Sequence, residues 1–473
     1  MGVILGMTMS LFLPTLLPSV QAEPRSSPVR LGLTWSTVFP TGYYLYTIGK
    51  TRDNGIIVGG LGFYGGGYVA KLDVLGRLDW SREYSFSQYG FVRVYSIEQT
   101  RDGGFVLAGD ADPYGNAPNA KDRNDAWILK LDVHGMIEWG RTLGVPGGQG
   151  FASVIQTSDG GYLAAGTIIG FLGPSDFSDA WLVKFDSSGN VLWQHAYGGF
   201  GRSNANSIQE ALDQTGFIVA GDTQTTNAEA AWVFKTDNLG NLVWERAYLV
   251  TSDEHAHWIR NTSDGGYVLW TDVIIKDDEV NGYPGIPCRA RACSLILRLN
   301  PSGDILWQKL YPCSSGCVFS IEETRDGGFI EAGASPNAGL LIKLDSSGNT
   351  LWQRSYLGLG FSMAEEITNG DIAVLGVDQQ VGYRSTIVRT DDRGNIRGCA
   401  SSLPSSVPVK SDFSTTILSS TEVTTGSSSA NVLSPAASVS NALIQTLMPC
   451  GHQTNRNGPP KLDRSLFLMT RAR

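Results

Sequence analysis

One short run of the sequence, Asp253-Glu254-His255-Ala256-His257, combines two imidazoles with two carboxylates. In an extended strand, side chains two positions apart point to the same face, so His255 and His257 are expected to lie side by side. Imidazole nitrogen and carboxylate oxygen both bind divalent metals, and Asp253 or Glu254 would add the oxygen. A His-x-His pair is also common by chance, so the run is equally compatible with a binding surface, and the metal stays unknown.

Other candidate binding residues are scattered along the sequence rather than joined in one motif. Arg93 and Arg202 precede apolar strands and are expected on links beside a central opening. The segment Asp110-Ala111-Asp112-Pro113-Tyr114-Gly115 resembles half of a calcium loop but lacks the later ligands. Aromatic side chains that offer flat surfaces for stacking against a glycan or peptide are Tyr114, Phe171, Phe177 and Tyr283.

The sequence lacks the common signatures of hydrolases and nucleotide-binding enzymes. Its five histidines form no His-Glu-x-x-His motif, and it contains neither a Gly-x-Ser-x-Gly elbow nor a P-loop. The formal charge of −9 and the pI of 5.2 argue against a nucleic-acid partner, because phosphate binding depends on clustered Lys and Arg. We expect no cofactor, and a noncatalytic role is favoured over an enzymatic one.

The candidate residues lie in a chain built from one unit that returns at intervals of roughly fifty residues. In the unit from Ser153 to Tyr197, four apolar runs alternate with turns such as Asp159-Gly160-Gly161 and Ser188-Gly189-Asn190. Short runs rich in Val, Ile, Tyr and Trp are typical of β-strands, and hairpin turns need Gly, Asp and Asn. Each unit therefore predicts four antiparallel strands, which we name A to D in chain order.

Two recurring features show how many units the chain contains. Strand C ends seven times in a basic residue, a spacer and an acid or amide: Lys71-Leu72-Asp73, Lys130-Leu131-Asp132, Lys184-Phe185-Asp186, Lys235-Thr236-Asp237, Arg298-Leu299-Asn300, Lys343-Leu344-Asp345 and Arg389-Thr390-Asp391. A catalytic group is needed once and a structural contact in every unit, so we assign these residues to the framework. Strand D carries six matching tryptophans: Trp80, Trp139, Trp193, Trp244, Trp307 and Trp352.

The seventh D strand is missing after the last unit, where Gly398 occupies the tryptophan position. Trp35 lies one repeat length before Trp80 and supplies the missing residue from the other end of the chain. The sequence therefore predicts an all-β fold, a seven-bladed β-propeller of four-stranded blades, whose ring is closed by the N-terminal strand Leu33–Val38 completing the last blade. A solenoid is the alternative, but it would need capping repeats and no such permutation.

The turns sort the predicted disc into two faces. The A–B and C–D turns barely vary between units, whereas the B–C loops and D–A links on the opposite face vary in length and chemistry. We call the second face the variable face. Variable loops on a rigid scaffold commonly carry function, so binding is expected there. The longest such loop, Thr271–Cys293, lies in the fifth unit beside the His255 run.

Strands C and D of the third unit, Leu182–Trp193, resemble the tryptophan-docking motif of quinoprotein-type (PQQ-like) propellers. The whole unit with its Asp-Gly-Gly turn is similar to repeats of secreted bacterial and archaeal propeller proteins. The resemblance covers residues 33 to 398 and implies a propeller with tryptophans wedged between neighbouring blades. Enzymes of the class hold PQQ over the ring centre, often against adjacent disulfide-bonded cysteines. This sequence has no adjacent Cys pair and no complete Ca²⁺ ligand set, which puts PQQ chemistry in doubt.

The ends of the chain differ from the repeats. Residues 1–22 are predicted to be a signal peptide that ends at Val20-Gln21-Ala22, although no Lys or Arg precedes its apolar run. The propeller is expected over 31–398, a Ser/Thr-rich extension over 399–450 and a disordered tail over 451–473. The extension is interpreted either as a flexible stalk or as a segment that covers strand edges. No membrane span is expected after removal of the signal.

Six cysteines, an even number, suit an exported chain with disulfides. Cys293 enters strand C and Cys313 leaves strand D of the same unit, so a Cys293–Cys313 bridge is predicted, with Cys288–Cys317 beside it. Pairs within each loop are the alternative, and a zinc site is a third reading. A Cys399–Cys450 bridge would fold the extension back onto the ring.

Taken together, these patterns predict a secreted, cell-surface or periplasmic protein that uses the variable face for noncatalytic binding or adhesion. Its partner would be an extracellular glycan, protein or peptide, and the protein itself is expected to be a monomer. The alternatives are an exported hydrolase or oxidoreductase with a site on the same face, and an assembly scaffold.

Overall fold

The strands described below come from a computed structural model. It describes residues 34–86, 89–113, 124–144, 148–170, 172, 177–198, 201–225, 228–250, 253–273, 293–312, 317–367, 370–379, 382 and 384–396, together with five strands between 402 and 440.

Seven antiparallel sheets form the blades, numbered here in chain order. Blade 7 is completed by β1 (Trp35–Val38). Blade 1 contains β2 (Tyr44–Lys50), β3 (Ile56–Leu61), β4 (Gly67–Leu72) and β5 (Leu78–Phe86). Blade 2 contains β6 (Tyr89–Gln99), β7 (Phe105–Pro113), β8 (Asp125–Leu131) and β9 (Ile137–Gly144). Blade 3 contains β10 (Gln149–Gln156), β11 (Tyr162–Ile169), β12 (Ser178–Phe185) and β13 (Val191–Gly198). Blade 4 contains β14 (Ser203–Glu210), β15 (Gly216–Gln224), β16 (Glu229–Asp237) and β17 (Leu242–Leu249).

Blade 5 contains β18 (Glu254–Asn261), β19 (Tyr267–Val273), β20 (Cys293–Leu299) and β21 (Ile305–Pro312). Blade 6 contains β22 (Cys317–Glu323), β23 (Phe329–Ser335), β24 (Ala338–Leu344) and β25 (Thr350–Leu357). Blade 7 contains β26 (Leu359–Glu366), β27 (Ile372–Asp378) and β28 (Arg384–Thr390) in addition to β1. The extension adds β29 (Ser402–Pro404), β30 (Thr416–Leu418), β31 (Thr424–Ser427), β32 (Asn431–Leu433) and β33 (Ala437–Ser440). The predicted all-β, seven-bladed propeller is thus confirmed.

The ring closes through β1, as the position of Trp35 predicts. This strand pairs antiparallel with β28, in a register that sets Thr37 opposite Ile387. Its side chains also join the neighbouring blade, since Thr37 Oγ1 donates to Gly76 O at 2.9 Å. The first and last parts of the propeller therefore share one sheet.

Each D-strand tryptophan packs on the C–D turn of the next blade. Trp80 Nε1 donates to Val133 O at 3.2 Å, and Trp35 Nε1 donates to Val74 O at 3.1 Å. The tryptophan ring lies so close to the turn glycine that a Cβ added there would come within 2.4–3.1 Å of the ring. The pairs around the ring are Trp35–Gly76, Trp80–Gly135, Trp139–Gly189, Trp193–Gly240, Trp244–Gly303, Trp307–Gly348 and Trp352–Gly394. The predicted wedging between blades is confirmed in every blade.

The strand-C cation of every blade lies inside its own blade and pairs with the aspartate of the A–B turn. Lys130 Nζ lies 2.8 Å from Asp102 and 2.9 Å from Glu138, and it donates to Leu131 O. The same pairs are Lys71–Asp53, Lys184–Asp159, Lys235–Asp213, Arg298–Asp264, Lys343–Asp326 and Arg389–Asp371. Their sevenfold recurrence confirms a framework role.

The strands of the extension add a fifth strand to the outer edge of five blades. In chain order they pair with β25 of blade 6, β17 of blade 4, β13 of blade 3, β9 of blade 2 and β5 of blade 1. Among the described strands, the D strand of blade 5 and β1 receive no such partner. Of the two interpretations of the extension, these strands match the one that covers edges.

Within the described part of the chain, no helix has the length and apolar character that crossing a membrane requires.

Candidate functional site

Every innermost strand contains a β-bulge at the same place, where one extra residue interrupts the pairing with strand B. A bulge turns a side chain out of the regular alternation. The bulge itself recurs in all blades, so it belongs to the framework, but its occupants differ. They are Tyr46, Tyr95, Ala152, Asn206, His257, Phe319 and Ser362. Blade 5 places an imidazole at this position.

His255 lies at the variable-face end of β18, where blade 5 packs against blade 4. We call this junction, formed by Asp222, Glu229, Asp253 and His255, the cleft between blades 4 and 5. Nδ1 of His255 faces two carboxylates of blade 4, with Asp222 Oδ1 and Glu229 Oε1 each at 3.8 Å. Its Nε2 lies 3.1 Å from Asp253 Oδ1. Asp222, acting against the cost of burial, raises the pKa of His255 to about 9.

Asp222 is buried and held by two amides of the neighbouring inner strand. Asn204 Nδ2 donates to Asp222 Oδ2 at 2.6 Å, and Asn206 Nδ2 donates to Asp222 Oδ1 at 3.1 Å. Glu229 is partly buried, and a parallel bridge joins its backbone to Asp253. Burial raises the pKa of Glu229, which the nearby His255 charge opposes. Blade 4 therefore presents two fixed carboxylates to the imidazole of blade 5.

His257 lies on the same face of β18 as His255, with ring centroids 6.3 Å apart, but it has separate partners. Its Nε2 lies 3.3 Å from Asp272 Oδ2, and its ring stacks on Trp270 at 4.5 Å. Asp272 also accepts a hydrogen bond from the His255 backbone N–H. The two histidines are thus neighbours whose side chains contact different carboxylates.

The other residues of the run divide between the cleft and the interior. Asp253 contacts His255, whereas Glu254 is fully buried and its Oε1 accepts a hydrogen bond from Val250 N at 3.2 Å. Alternation along the strand explains the difference, because adjacent side chains point to opposite faces.

Of the remaining predicted site residues that the structure describes, Arg93 and Phe177 lie in other blades, whereas Arg202 lies near Glu229. Arg93 pairs with Asp110 at 3.1 Å in blade 2, so the Asp110 carboxylate is engaged in an ion pair. Arg202 is exposed just before β14, and its charge acts on Glu229. Phe177 is partly exposed in the B–C loop of blade 3. Tyr114, Phe171 and Tyr283 lie outside the described residues.

Two of the six cysteines, Cys293 and Cys317, lie within the described residues. Cys293 is buried opposite Pro312, and Ser294 Oγ donates to Val318 O, beside Cys317. Neither Cys293 nor Cys317 is a free thiol. Their proposed partners Cys313 and Cys288 lie outside the described residues, as do Cys399 and Cys450, so the pairing stays a prediction.

A second polar region was missed by the sequence analysis. The seven innermost strands enclose a cavity of about 710 Å³ at the end of the ring that carries the A–B turns. Lys50 reaches across it to Glu322 at 3.2 Å and Glu365 at 3.5 Å. On β18, the Arg260 guanidinium lies 3.7 Å from the centre of the Trp258 ring. Burial raises the pKa of Glu98 to about 7 in the same wall.

Asp222 and Glu229 were also missed, because neither belongs to the His255 run. A signal does exist in the repeats. One position of strand B carries an acid in three blades: Asp110, Asp222 and Asp272. The other four blades have Thr167, Ala334, Val377 and Leu61 there. A comparison of the repeats position by position would have singled out these three acids.

No family model matches the sequence, and no curated protein matches it. The fold is similar to solved structures at very low identity. Kuenenia stuttgartiensis hydrazine synthase superposes with a TM-score of 0.50 at 11% identity, over 75% of this chain and 97% of that chain. YCF48 bound to D1 peptide gives a TM-score of 0.45 at 11% identity, over 77% and 96% of the two chains. Chaetomium thermophilum Sqt1 gives 0.41 at 10% identity, over 76% and 97%. At this identity the likeness shows the propeller fold alone.

Proposed function

We propose that this protein is an exported, noncatalytic binding protein that recognises an extracellular glycan or peptide at the variable face. The single observation that carries the proposal is the cleft between blades 4 and 5, where Asp222, Glu229 and Asp253 surround His255. The repeating framework of the blades does not need this cluster, since no other blade repeats it in the sequence. Recessed groups of this kind, with an aromatic surface beside them at Trp270, are suited to fixing a ligand's orientation.

The partners of the two histidines favour binding over nucleophilic catalysis. A nucleophilic hydrolase needs a Ser or Cys within hydrogen-bond reach of its histidine base. In the described residues, the side-chain partners of His255 and His257 are carboxylates and aromatic rings. These partners support a role of the two histidines as fixed polar contacts rather than as bases for a neighbouring nucleophile.

The closing experiment compares binding to extracellular glycan and peptide arrays. The double variant His255→Ala, His257→Ala is expected to retain the fold and to lose at least tenfold in affinity for any ligand that the wild type selects. His134→Ala is the matched control, because His134 is exposed on a C–D turn at the opposite face. Unchanged binding by the double variant would place the recognition site elsewhere.

Export is a separate part of the proposal and has its own test. N-terminal sequencing of the mature protein is expected to begin after Ala22. Nonreducing peptide mapping is expected to link Cys293 with Cys313 and Cys288 with Cys317, the pairing that the sequence predicts. If all six thiols are alkylated without reductant, both the bridges and the exported location are wrong.

A further inference from the structure

We infer that Asp222, Glu229 and His255 form a binding site for one divalent transition-metal ion, with Zn²⁺ the best match. The three ligand atoms, one from each side chain, all lie within 4.8 Å of one another. They come from three strands, β15 and β16 of blade 4 and β18 of blade 5, so the ion would join two blades. The inference deepens the proposed function and rests on it only in placing the partner at the same cleft.

The separations between the ligand atoms suit a shared ion better than direct hydrogen bonds. Nδ1 of His255 lies 3.8 Å from one oxygen of Asp222 and 3.8 Å from one oxygen of Glu229. A hydrogen bond between nitrogen and oxygen spans about 2.7–3.2 Å. Two ligands of a tetrahedral zinc ion, each about 2.0–2.1 Å from the metal, are separated by about 3.4 Å. A small inward movement of each side chain would therefore complete the site.

Outer contacts orient two of the three groups, His255 and Asp222, for this purpose. A histidine that binds a metal through one nitrogen usually donates from the other nitrogen to a carboxylate. Asp253 occupies that place, 3.1 Å from His255 Nε2, while Nδ1 faces the cleft. Metal-binding carboxylates are likewise held by hydrogen bonds, and Asn204 and Asn206 hold Asp222. These contacts lie outside the ligand set and support it.

The charge of the cleft also favours a divalent cation. Asp222, Glu229 and Asp253 gather three carboxylates in a partly buried cleft, where mutual repulsion is less screened than in water. Arg202, the nearby cation, is exposed. An ion with two positive charges that displaces the proton of His255 would replace one positive charge by two and so offset more of the carboxylate charge. A mixed set of one nitrogen and two oxygens fits Zn²⁺ or Mn²⁺, whereas Ca²⁺ and Mg²⁺ prefer oxygen alone.

Three protein ligands leave at least one position of the ion open. Such a position binds water or an oxygen atom of a ligand. The ion would therefore give the proposed recognition site a contact for a hydroxyl or carboxylate oxygen of the partner.

The test uses untagged full-length protein freed of metal with EDTA and then dialysed. Isothermal titration calorimetry with ZnCl₂ is expected to show one saturable site. Thermal unfolding in the presence of ZnCl₂ is expected to show a higher Tm. His255→Ala and Asp222→Asn are expected to weaken Zn²⁺ binding at least 100-fold. Asp253→Asn, which removes only the outer contact, is expected to weaken it about 10- to 100-fold.

His134→Ala is the matched histidine control and is expected to bind Zn²⁺ like the wild type. Absence of a saturable site, equal affinity in His255→Ala, or loss of binding in His134→Ala would each overturn the inference. Tighter binding of Ca²⁺ than of Zn²⁺ would also contradict it. Because no partner is present in the titration, failure here leaves the proposed recognition function to be judged by the arrays alone.

Discussion

At the scale of single residues, the most regular feature is the buried strand-C cation. Its methylene groups lie in the blade interior, and its charged end satisfies a backbone carbonyl together with the turn aspartate. Lys130 and Lys184 are almost fully buried, whereas their acidic partners are more than half exposed. The pair therefore works mainly as a satisfied buried donor that fixes the A–B turn, rather than as a strong ion pair.

Lys130→Met tests this role because Met keeps the apolar stem and removes the donor. We expect a loss of about 1–3 kcal/mol in the free energy of unfolding, since buried Leu131 O loses its Lys partner. Lys235→Met is the matched control, because Lys235 is more exposed and lies 3.5 Å from Asp213. Urea unfolding should show the smaller loss for Lys235→Met. Equal losses would contradict the assignment of the effect to donor burial.

Also at this scale, β18 differs from the other inner strands at several positions. Trp258 stands where four other blades place a serine whose hydroxyl accepts a backbone hydrogen bond from the next blade: Ser96, Ser153, Ser207 and Ser320. Arg260 follows in the cavity wall, and His255 and His257 precede it at the variable face. The inner strand of blade 5 thus lacks this serine and carries His255, His257 and Arg260 instead.

At the scale of elements, the short strand β1 contacts two blades. Four residues supply a ladder to β28, an edge for the last blade and a tryptophan that covers the first C–D turn. The strand belongs to blade 7 by pairing and to blade 1 by packing. It therefore holds the ring closed from both sides of the junction.

Removal of residues 31–40 is expected to lower the Tm of the whole propeller, because both blades at the junction lose contacts. Trp35→Ala is the milder variant and should cost about 3–5 kcal/mol, the range for a buried tryptophan truncation. Differential scanning calorimetry measures both. The matched variant Trp352→Ala, at the corresponding contact between blades 6 and 7, should cost a similar amount. A single unchanged melting transition after the deletion would show that β1 does not hold the ring together.

The strands of the extension act at the same scale on the outer rim. An exposed D strand presents unpaired N–H and C=O groups that invite pairing with other chains. Strands β29 to β33 occupy five of these edges in the structure. The backbone of this Ser/Thr-rich segment therefore completes the sheet at each of the five edges.

At the scale of the whole molecule, two groups of carboxylates respond to pH in opposite directions. Against the cost of partial burial, hydrogen bonds from Lys130 and Thr100 lower the pKa of Asp102 to about 2, and those from Lys184 and Thr157 do the same for Asp159. In the cavity enclosed by the seven innermost strands, here called the axial cavity, burial raises the pKa of Glu98 to about 7. Burial together with the neighbouring Glu322 raises the pKa of Glu365 to about 7.

The signs of the two effects follow from proton linkage. The turn aspartates have a lower pKa in the folded state, so their contribution is present above the unfolded pKa near 3.8 and is lost as pH falls towards about 2. The cavity glutamates have a higher pKa in the folded state. Their protonated forms stabilise the fold below the unfolded pKa near 4.5, and this stabilisation is lost as pH rises through about 7.

We therefore expect Tm to rise between pH 2 and 4 and to decline between pH 5 and 8. Glu98→Gln should flatten the decline and raise Tm at pH 8 while changing little at pH 4.5, because Gln needs no proton to stay neutral. Each 1 kcal/mol should correspond to a few degrees in Tm. Asp102→Asn is the comparison variant and should lower Tm at pH 7 with little effect at pH 2. A Glu98→Gln curve parallel to the wild type would contradict the linkage of Glu98 to the decline.

The sequence by itself determined the parts of the protein that repeat. Seven Lys or Arg positions, the tryptophans and the turn glycines recur because each blade must make the same contacts with itself and its neighbour. Trp35 predicted the closure for the same reason, since a missing periodic residue must come from elsewhere. The sequence also predicted that His255 and His257 lie on one face of a strand, but it did not predict the bulge at His257.

Only the tertiary structure decided which groups meet across the repeats. Asp222 and Glu229 lie on the B and C strands of blade 4 and reach His255 because the inner strand of blade 5 packs against them. The axial cavity requires all seven inner strands, and the fifth strands require a segment that returns along the rim. Such contacts depend on how blades are placed around the axis, and residue spacing within one strand carries no information about that placement.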